Sequence, residues 1–176
     1  MRALGPGSVS SFLKIILDVA HMALSVGLGV VTTLALAALF FHFDPKFLFR
    51  DADFNLADAQ TARLIVTGSL ILGAIYIAGV LVIVGRLRRI FSTLTAGDPF
   101  HPDNVRRLRV IGVVLAVLEL VRYPTALITA WLAPEVLATR GFSPNLTAWF
   151  AVLVVFVLAE VFREGARLRR EAELTI

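Results

Sequence analysis

The chain has 176 residues, 58% of them hydrophobic and only 17% charged, with a mean hydropathy of +0.84 and a formal charge of +4. A soluble domain of this size needs more charge to cover its surface, and a disordered chain carries far less apolar content. There is no cysteine, so a disulfide scaffold, a thiol nucleophile, an iron–sulfur cluster and a thiolate zinc site are excluded. What remains is an all-α integral membrane protein, a single four-span domain over residues 1–176.

A helix needs about 20 apolar residues to cross the hydrocarbon core. Four segments meet that length, at about 12–41, 64–85, 110–132 and 146–162. None has the period-two alternation of a membrane strand. The first carries Lys14, Asp18, His21, Ser25 and Thr32 at roughly heptad spacing. This stripe is expected to face the interior of the bundle, with Lys14 and Asp18 paired and Gly27 and Gly29 allowing a close helix approach. Ala35-Leu36-Ala37 would pass as a signal-peptidase site. The apolar run is longer than a signal core, however, and has charges in its first turns, so an uncleaved span is expected. Phe40, Phe41, Phe43, Phe47 and Phe49 cluster at the far end as an interfacial platform. Asp44-Pro45 is expected to end the helix there, and Asn55 or Asp58 to start the next.

The second span has no charge between Leu64 and Gly85. Beyond it, Leu87, Ile90, Phe91 and Leu94 keep helical spacing, which extends the helix past the membrane. Gly97 is placed as a left-handed helix stop, with Asp98-Pro99 behind it. A new helix is expected near His101, with Pro102 in the first position and Asp103 and Asn104 in the first turn. Residues 86–109 thus predict a helical hairpin that extends spans two and three, with Phe100 packed in its crook. The third span contains Glu119 and Arg122, three positions apart on one face. Pro134, Gly141 and Pro144 predict turns before the fourth span, which contains Glu160 near its end.

Arginine placement sets the orientation. The N-terminal segment, the 86–109 connection and the C-terminal tail hold Arg2, Lys14, Arg86, Arg88, Arg89, Arg106, Arg107, Arg109, Arg163, Arg167, Arg169 and Arg170, twelve of the 17 basic residues. Basic loops stay on the cytoplasmic side, so both termini are expected in the cytoplasm. Trp131 and Trp149 then fall at the outer interface, where indole rings prefer to lie. Arg86-Leu-Arg-Arg89 after span two echoes Arg167-Leu-Arg-Arg170 after span four. A duplicated two-helix unit predicts that echo, and so does the simple fact that inward-ending spans are followed by arginines.

Gly97-Asp-Pro-Phe100 with Asn104, then Arg107-Leu-Arg-Val-Ile-Gly112, resembles the signature of a bacterial membrane family, domain of unknown function 2975. The ending from Phe162 to Ile176, with its Gly, Leu, acidic residues and terminal Leu-Thr-Ile, resembles the same family's C-terminal block. The resemblance implies four helices in the bacterial inner membrane and no assigned activity. It also implies a frequent genetic neighbour, a small helix-turn-helix regulator, and hence a partner for such a protein. It supplies no catalytic residues, and the third span matches no family pattern.

Charge inside the bilayer costs a few kcal/mol per residue, so each intramembrane charge needs a partner. Asp18, His21, Glu119, Arg122 and Glu160 are the intramembrane polar candidates. They are either mutually neutralising groups that set helix register or the lining of a path for an ion, a proton or a small ligand. His21, His42 and His101 lie at three different depths, which disfavours haem and a three-histidine zinc site, and no cofactor is expected. Two functions compete. One is a non-enzymatic regulatory or scaffold protein that offers Arg86, Arg88, Arg89, Phe100, Asn104, Arg106, Arg107 and Arg109 to lipid headgroups and a cytoplasmic partner. The other is a small transporter or channel built on the intramembrane charges. Direct nucleic-acid binding is not expected, because the arginines lie against the membrane with no reading helix. Self-association is compatible with either function.

Overall fold

The computed structural model describes residues 9–41, 59–98, 100–132 and 145–174. They form four helices: α1 (Val9–Phe40), α2 (Ala59–Thr95), α3 (Pro102–Leu132) and α4 (Leu146–Leu174). No strand occurs among the described residues. All four helices are long and apolar enough to cross a membrane. The expected stops around Asp44-Pro45, the helix start at Asn55 or Asp58, Phe43, Phe47 and Phe49, His42, Pro99 and the turns at Pro134, Gly141 and Pro144 lie outside the described residues.

The helices run up and down in chain order. α1 packs on α2, α2 on α3 and α3 on α4, and no other helix pair meets among the described residues. The bundle is therefore an open row. Its antiparallel register is visible in the contacts. Arg63 Nη2 of α2 donates to the Leu39 carbonyl of α1 at 3.3 Å, while Arg88 pairs with Asp18 at 2.5 Å toward the other end. The start of α1, the α2–α3 turn and the end of α4 consequently share one end of the molecule, the arginine-rich end.

An open row leaves many large apolar side chains uncovered. Phe12, Val19, Met22, Val26 and Val30 of α1 are all more than half exposed, as are Leu153 and Val157 of α4. Lipid tails are as apolar as leucine, so these faces need no protein cover in a bilayer. Phe40 and Phe41, at the far end of α1, are 78% and 71% exposed.

The α2–α3 connection follows backbone chemistry that the sequence announces. Gly97 has φ +81°, the left-handed conformation that glycine adopts without steric cost. Its N–H donates to the Leu94 carbonyl at 3.1 Å, and the Asp98 N–H to the Thr93 carbonyl at 3.0 Å, which makes a Schellman stop. His101 then caps α3: its carbonyl accepts from the Asn104 N–H and its Nδ1 accepts from the Asp103 N–H at 3.2 Å. At the other end of the molecule, Asn145 caps α4 through Oδ1, which accepts from the Ala148 N–H at 3.2 Å.

The packed core lies toward the arginine-rich end. Ile90, Leu108, Ile111 and Ala159 are buried together, with Leu87, Leu94, Leu115 and Phe162 against them. α3 packs closely on α2 and on α4 because small residues let each pair approach. A Cβ on Gly79 would lie 2.8 Å from the Leu118 side chain, and one on Gly112 3.1 Å from the Phe156 ring. Gly27 and Gly29, expected to be the approach points, have nothing within 4 Å of a built Cβ. With α1 touching α2 alone, those two glycines face outward from the row.

Candidate functional site at the arginine-rich end

Asn104 organises this end. It is fully buried, at 0% exposure. Its Nδ2 donates to Thr93 Oγ1 at 2.8 Å, and its Oδ1 accepts from Arg107 Nη1 at 2.9 Å. The same Arg107 nitrogen donates to the Arg89 carbonyl at 3.0 Å. Thr93 Oγ1 in turn donates to the Ile90 carbonyl at 2.7 Å. A buried amide needs such partners, and here they tie the last turns of α2 to the first turns of α3. Arg107 is accordingly a structural arginine, with only 18% of its side chain exposed.

The other predicted residues of this end divide by direction. Arg86, Arg89, Arg106 and Arg107 surround a small polar cavity of about 140 Å³, with Asp103 and Val110. Arg88 points the other way and pairs with Asp18 of α1 at 2.5 Å. Lys14 is exposed and makes no pair with Asp18, contrary to expectation, because the carboxylate reaches across the helix interface instead. His21 faces Gly85 of α2, whose built Cβ would lie 3.8 Å from Nε2. Of the polar stripe on α1, only Asp18 and His21 are part-buried. Lys14, Ser25 and Thr32 are exposed, and the Ser25 hydroxyl donates to the His21 carbonyl of its own helix at 2.7 Å.

Phe100 does not fill the crook of the hairpin. It leaves the turn and lies on α4, its ring 5.8 Å from the Phe162 ring at 55°. Gly165 makes room for it: a Cβ there would sit 2.5 Å from the Phe100 ring. Beside it, Asp98 of the turn pairs with Arg169 of α4. Arg109 reaches Glu160 of α4 at 4.0 Å, and Glu160 also pairs with Arg163. The two arms of the hairpin are joined instead by the Asn104–Thr93 hydrogen bond.

Asp98–Arg169 and the Phe100–Gly165 seat were not foreseen. The ion pair joins residues 71 positions apart and leaves no trace in local pattern. Gly165 had a usable signal, since a glycine inside a polar helical run marks a close approach.

A second polar site lies farther into the spans. Glu119 is buried, and Arg122 Nη1 donates to its Oε1 at 3.3 Å, as the three-residue spacing predicts. The pair lines a cleft of about 520 Å³ between α2, α3 and α4, with Tyr76, Thr125, Asn145 and Leu118. Above it Trp149 Nε1 donates to Tyr123 Oη at 2.9 Å and bridges α4 to α3. Half of the Arg122 side chain is exposed, whereas only 10% of the Glu119 side chain is. The glutamate therefore depends on the arginine more than the reverse. Arg122→Leu is expected to lower the melting temperature in detergent, and Arg122→Leu with Glu119→Leu to raise it again above the single variant. A double variant that melts below the single one would contradict the pairing.

Among the described residues, no group of three or more histidine, aspartate or glutamate side chains is placed to hold a metal ion. The architecture defines a multi-pass helical membrane protein with a polar end braced by one buried asparagine. The chain belongs to the family described as Protein of unknown function (DUF2975), which matches residues 47–176. The match takes in α2, α3 and α4 and leaves α1 outside it. Comparison with the curated proteins and with the solved structures gives no match.

Proposed function

We propose that this is a non-enzymatic protein of the bacterial inner membrane with both termini in the cytoplasm. It presents its arginine-rich end to a cytoplasmic protein of the small helix-turn-helix regulator type. The observation that carries this reading is the set of interhelical links built at the arginine-rich end. The buried cluster, the Asn104 network, the Phe100 seat and the Asp98–Arg169 pair all gather at the arginine-rich end. The spans themselves are thinly packed, with at most 17% of any apolar window buried. A protein that works in mid-membrane invests its packing around a path there. One that docks a soluble partner invests it in a rigid platform. Of the positions that carry the family resemblance, Gly97, Asp98, Phe100, Asn104 and Arg107 build this platform. The basic residues of that end also hold it against the cytoplasmic leaflet, at about 1 kcal/mol each.

The Glu119 cleft favours a transporter or channel less. Toward the arginine-rich end, α2 and α3 close at Gly79 against Leu118, and α3 and α4 at Gly112 against Phe156. Glu119 is also neutralised by its own helix.

The docking reading is tested by co-expression with the helix-turn-helix protein that the family resemblance places beside the gene. The regulator should remain bound to the membrane protein through affinity purification in mild detergent. Arg106→Glu reverses an exposed charge outside the Asn104 network and should release it. Undiminished retention by that variant, or no retention by the wild type, refutes the proposal.

A further inference from the structure

The cavity between the ends of α2 and α3 has a charge that the protein itself does not neutralise. Four arginines and one aspartate line it, a surplus of three positive charges. Asp103 is already engaged: its Oδ2 lies 3.7 Å from Arg107. Arg86, Arg89 and Arg106 have no acidic partner among the described residues, whereas Arg88, Arg109, Arg163, Arg167 and Arg169 all have one. Like charges held close together repel, and Arg86 and Arg89 stand one helical turn apart on the same face. The backbone that carries them is not free to spread, because Arg107 is bonded both to Asn104 and to the Arg89 carbonyl.

The depth of the cavity is equally informative. Arg86 is the first residue after the uncharged run of α2, and Val110 is the first after the last arginine of the α3 turn. Both line the cavity. It therefore sits where apolar helix gives way to polar helix on two adjacent elements, the level of lipid phosphates. Guanidinium groups match phosphate oxygens with paired, geometrically specific hydrogen bonds.

We propose that Arg86, Arg89 and Arg106, on the frame held by Arg107, form a binding site for one phosphate group at the membrane surface, supplied by a phospholipid headgroup or by a free phosphate-bearing solute. The site shares Arg106 with the proposed docking face, but its occupation needs no second protein, so titration in the absence of any partner reads it alone. The third guanidinium comes from α3, so an occupied site links α2 to α3 through the anion.

The test uses the full chain in a neutral detergent and isothermal titration with three probes: dihexanoyl phosphatidic acid, dihexanoyl phosphatidylcholine and inorganic phosphate. Arg86→Lys with Arg89→Lys keeps every charge and removes two guanidinium forks. Arg163→Lys with Arg170→Lys makes the same exchange outside the cavity. The wild type is expected to bind phosphatidic acid with saturation at one equivalent. The cavity variant should bind about tenfold more weakly, the loss of one or two paired hydrogen bonds, and the control variant as the wild type does. Binding of phosphatidic acid without inorganic phosphate assigns the headgroup as the source. Binding of both assigns the phosphate group itself. Diffuse attraction to positive charge predicts no difference between lysine and arginine, so equal binding by the cavity variant overturns the site. Failure of the wild type to bind either anionic probe overturns it too, as does phosphatidylcholine bound as tightly as phosphatidic acid. A melting curve for each variant shows whether the fold is kept. Should the lysine pair melt early, Arg106→Lys alone, at an exposed position, carries the same expectation.

Discussion

Asn104→Ala is expected to be among the most destabilising single substitutions in the chain. The side chain is fully buried, so alanine leaves a void and takes partners from Thr93 and Arg107 at once. An unsatisfied buried polar group costs about 1–3 kcal/mol, and more when charged. Arg107 would lose the acceptor that holds it at the Arg89 carbonyl, so the turn should loosen as well as the core. Total stabilities are only about 5–15 kcal/mol, which makes such a loss large. Thermal melting in detergent should show a clear drop for Asn104→Ala and a smaller one for Thr93→Val. The double variant should lose less than the two singles together, because both remove the same hydrogen bond. Strict additivity would mean that the Asn104–Thr93 bond is not the link between the two helices.

Gly165 gives the second large effect, and its sign is the diagnostic. In an unobstructed helix interior, Gly→Ala stabilises by roughly 1 kcal/mol, because glycine loses more backbone freedom on folding. At Gly165 the new Cβ would lie 2.5 Å from the Phe100 ring, so the ring or the helix has to move. Overpacking of that kind costs about 1–3 kcal/mol, which outweighs the gain in helix propensity. Gly165→Ala should therefore lower the melting temperature. In a Phe100→Ala background the obstacle is gone, and the same substitution should raise it. A stabilising effect in both backgrounds would show that Phe100 does not seat on α4. Gly27, with nothing within 4 Å of its built Cβ, should tolerate alanine in either background.

The two substitutions separate two kinds of information. The turn was legible residue by residue. Gly97 ends α2 because a left-handed residue is needed where the backbone reverses, and Pro102 begins α3 because its missing N–H is not needed there. Asn104, by contrast, reads in sequence as a first-turn residue offered outward to lipid or a partner, whereas the structure buries it completely. Its burial depends on how closely α2 approaches α3, and local spacing does not encode that distance. Glu119 and Arg122 were paired correctly from spacing alone, since residues three apart on a helix share a face. Asp18 was matched with the wrong cation, Lys14, for the same reason: spacing favours a neighbour on the same helix, and the true partner, Arg88, lies on another. The glycines divide similarly. Composition located them, but only the neighbouring helix distinguishes Gly79, Gly112 and Gly165, which are crowded, from Gly27 and Gly29, which are not.

The sequence by itself determined the number of helices, their membrane-spanning length, the stop and restart between α2 and α3, and the gathering of arginines at one end. These are properties of single segments, set by backbone hydrogen bonding, side-chain hydropathy and glycine or proline geometry, all of which act over a few residues. The tertiary structure decided the open row of helices, the seat of Phe100 on α4, the burial of Asn104 and the sorting of arginines into paired and unpaired. Those depend on which helix faces which. In a bilayer that choice is made by close packing and interhelical polar contacts, because apolar side chains are equally satisfied by lipid or by protein.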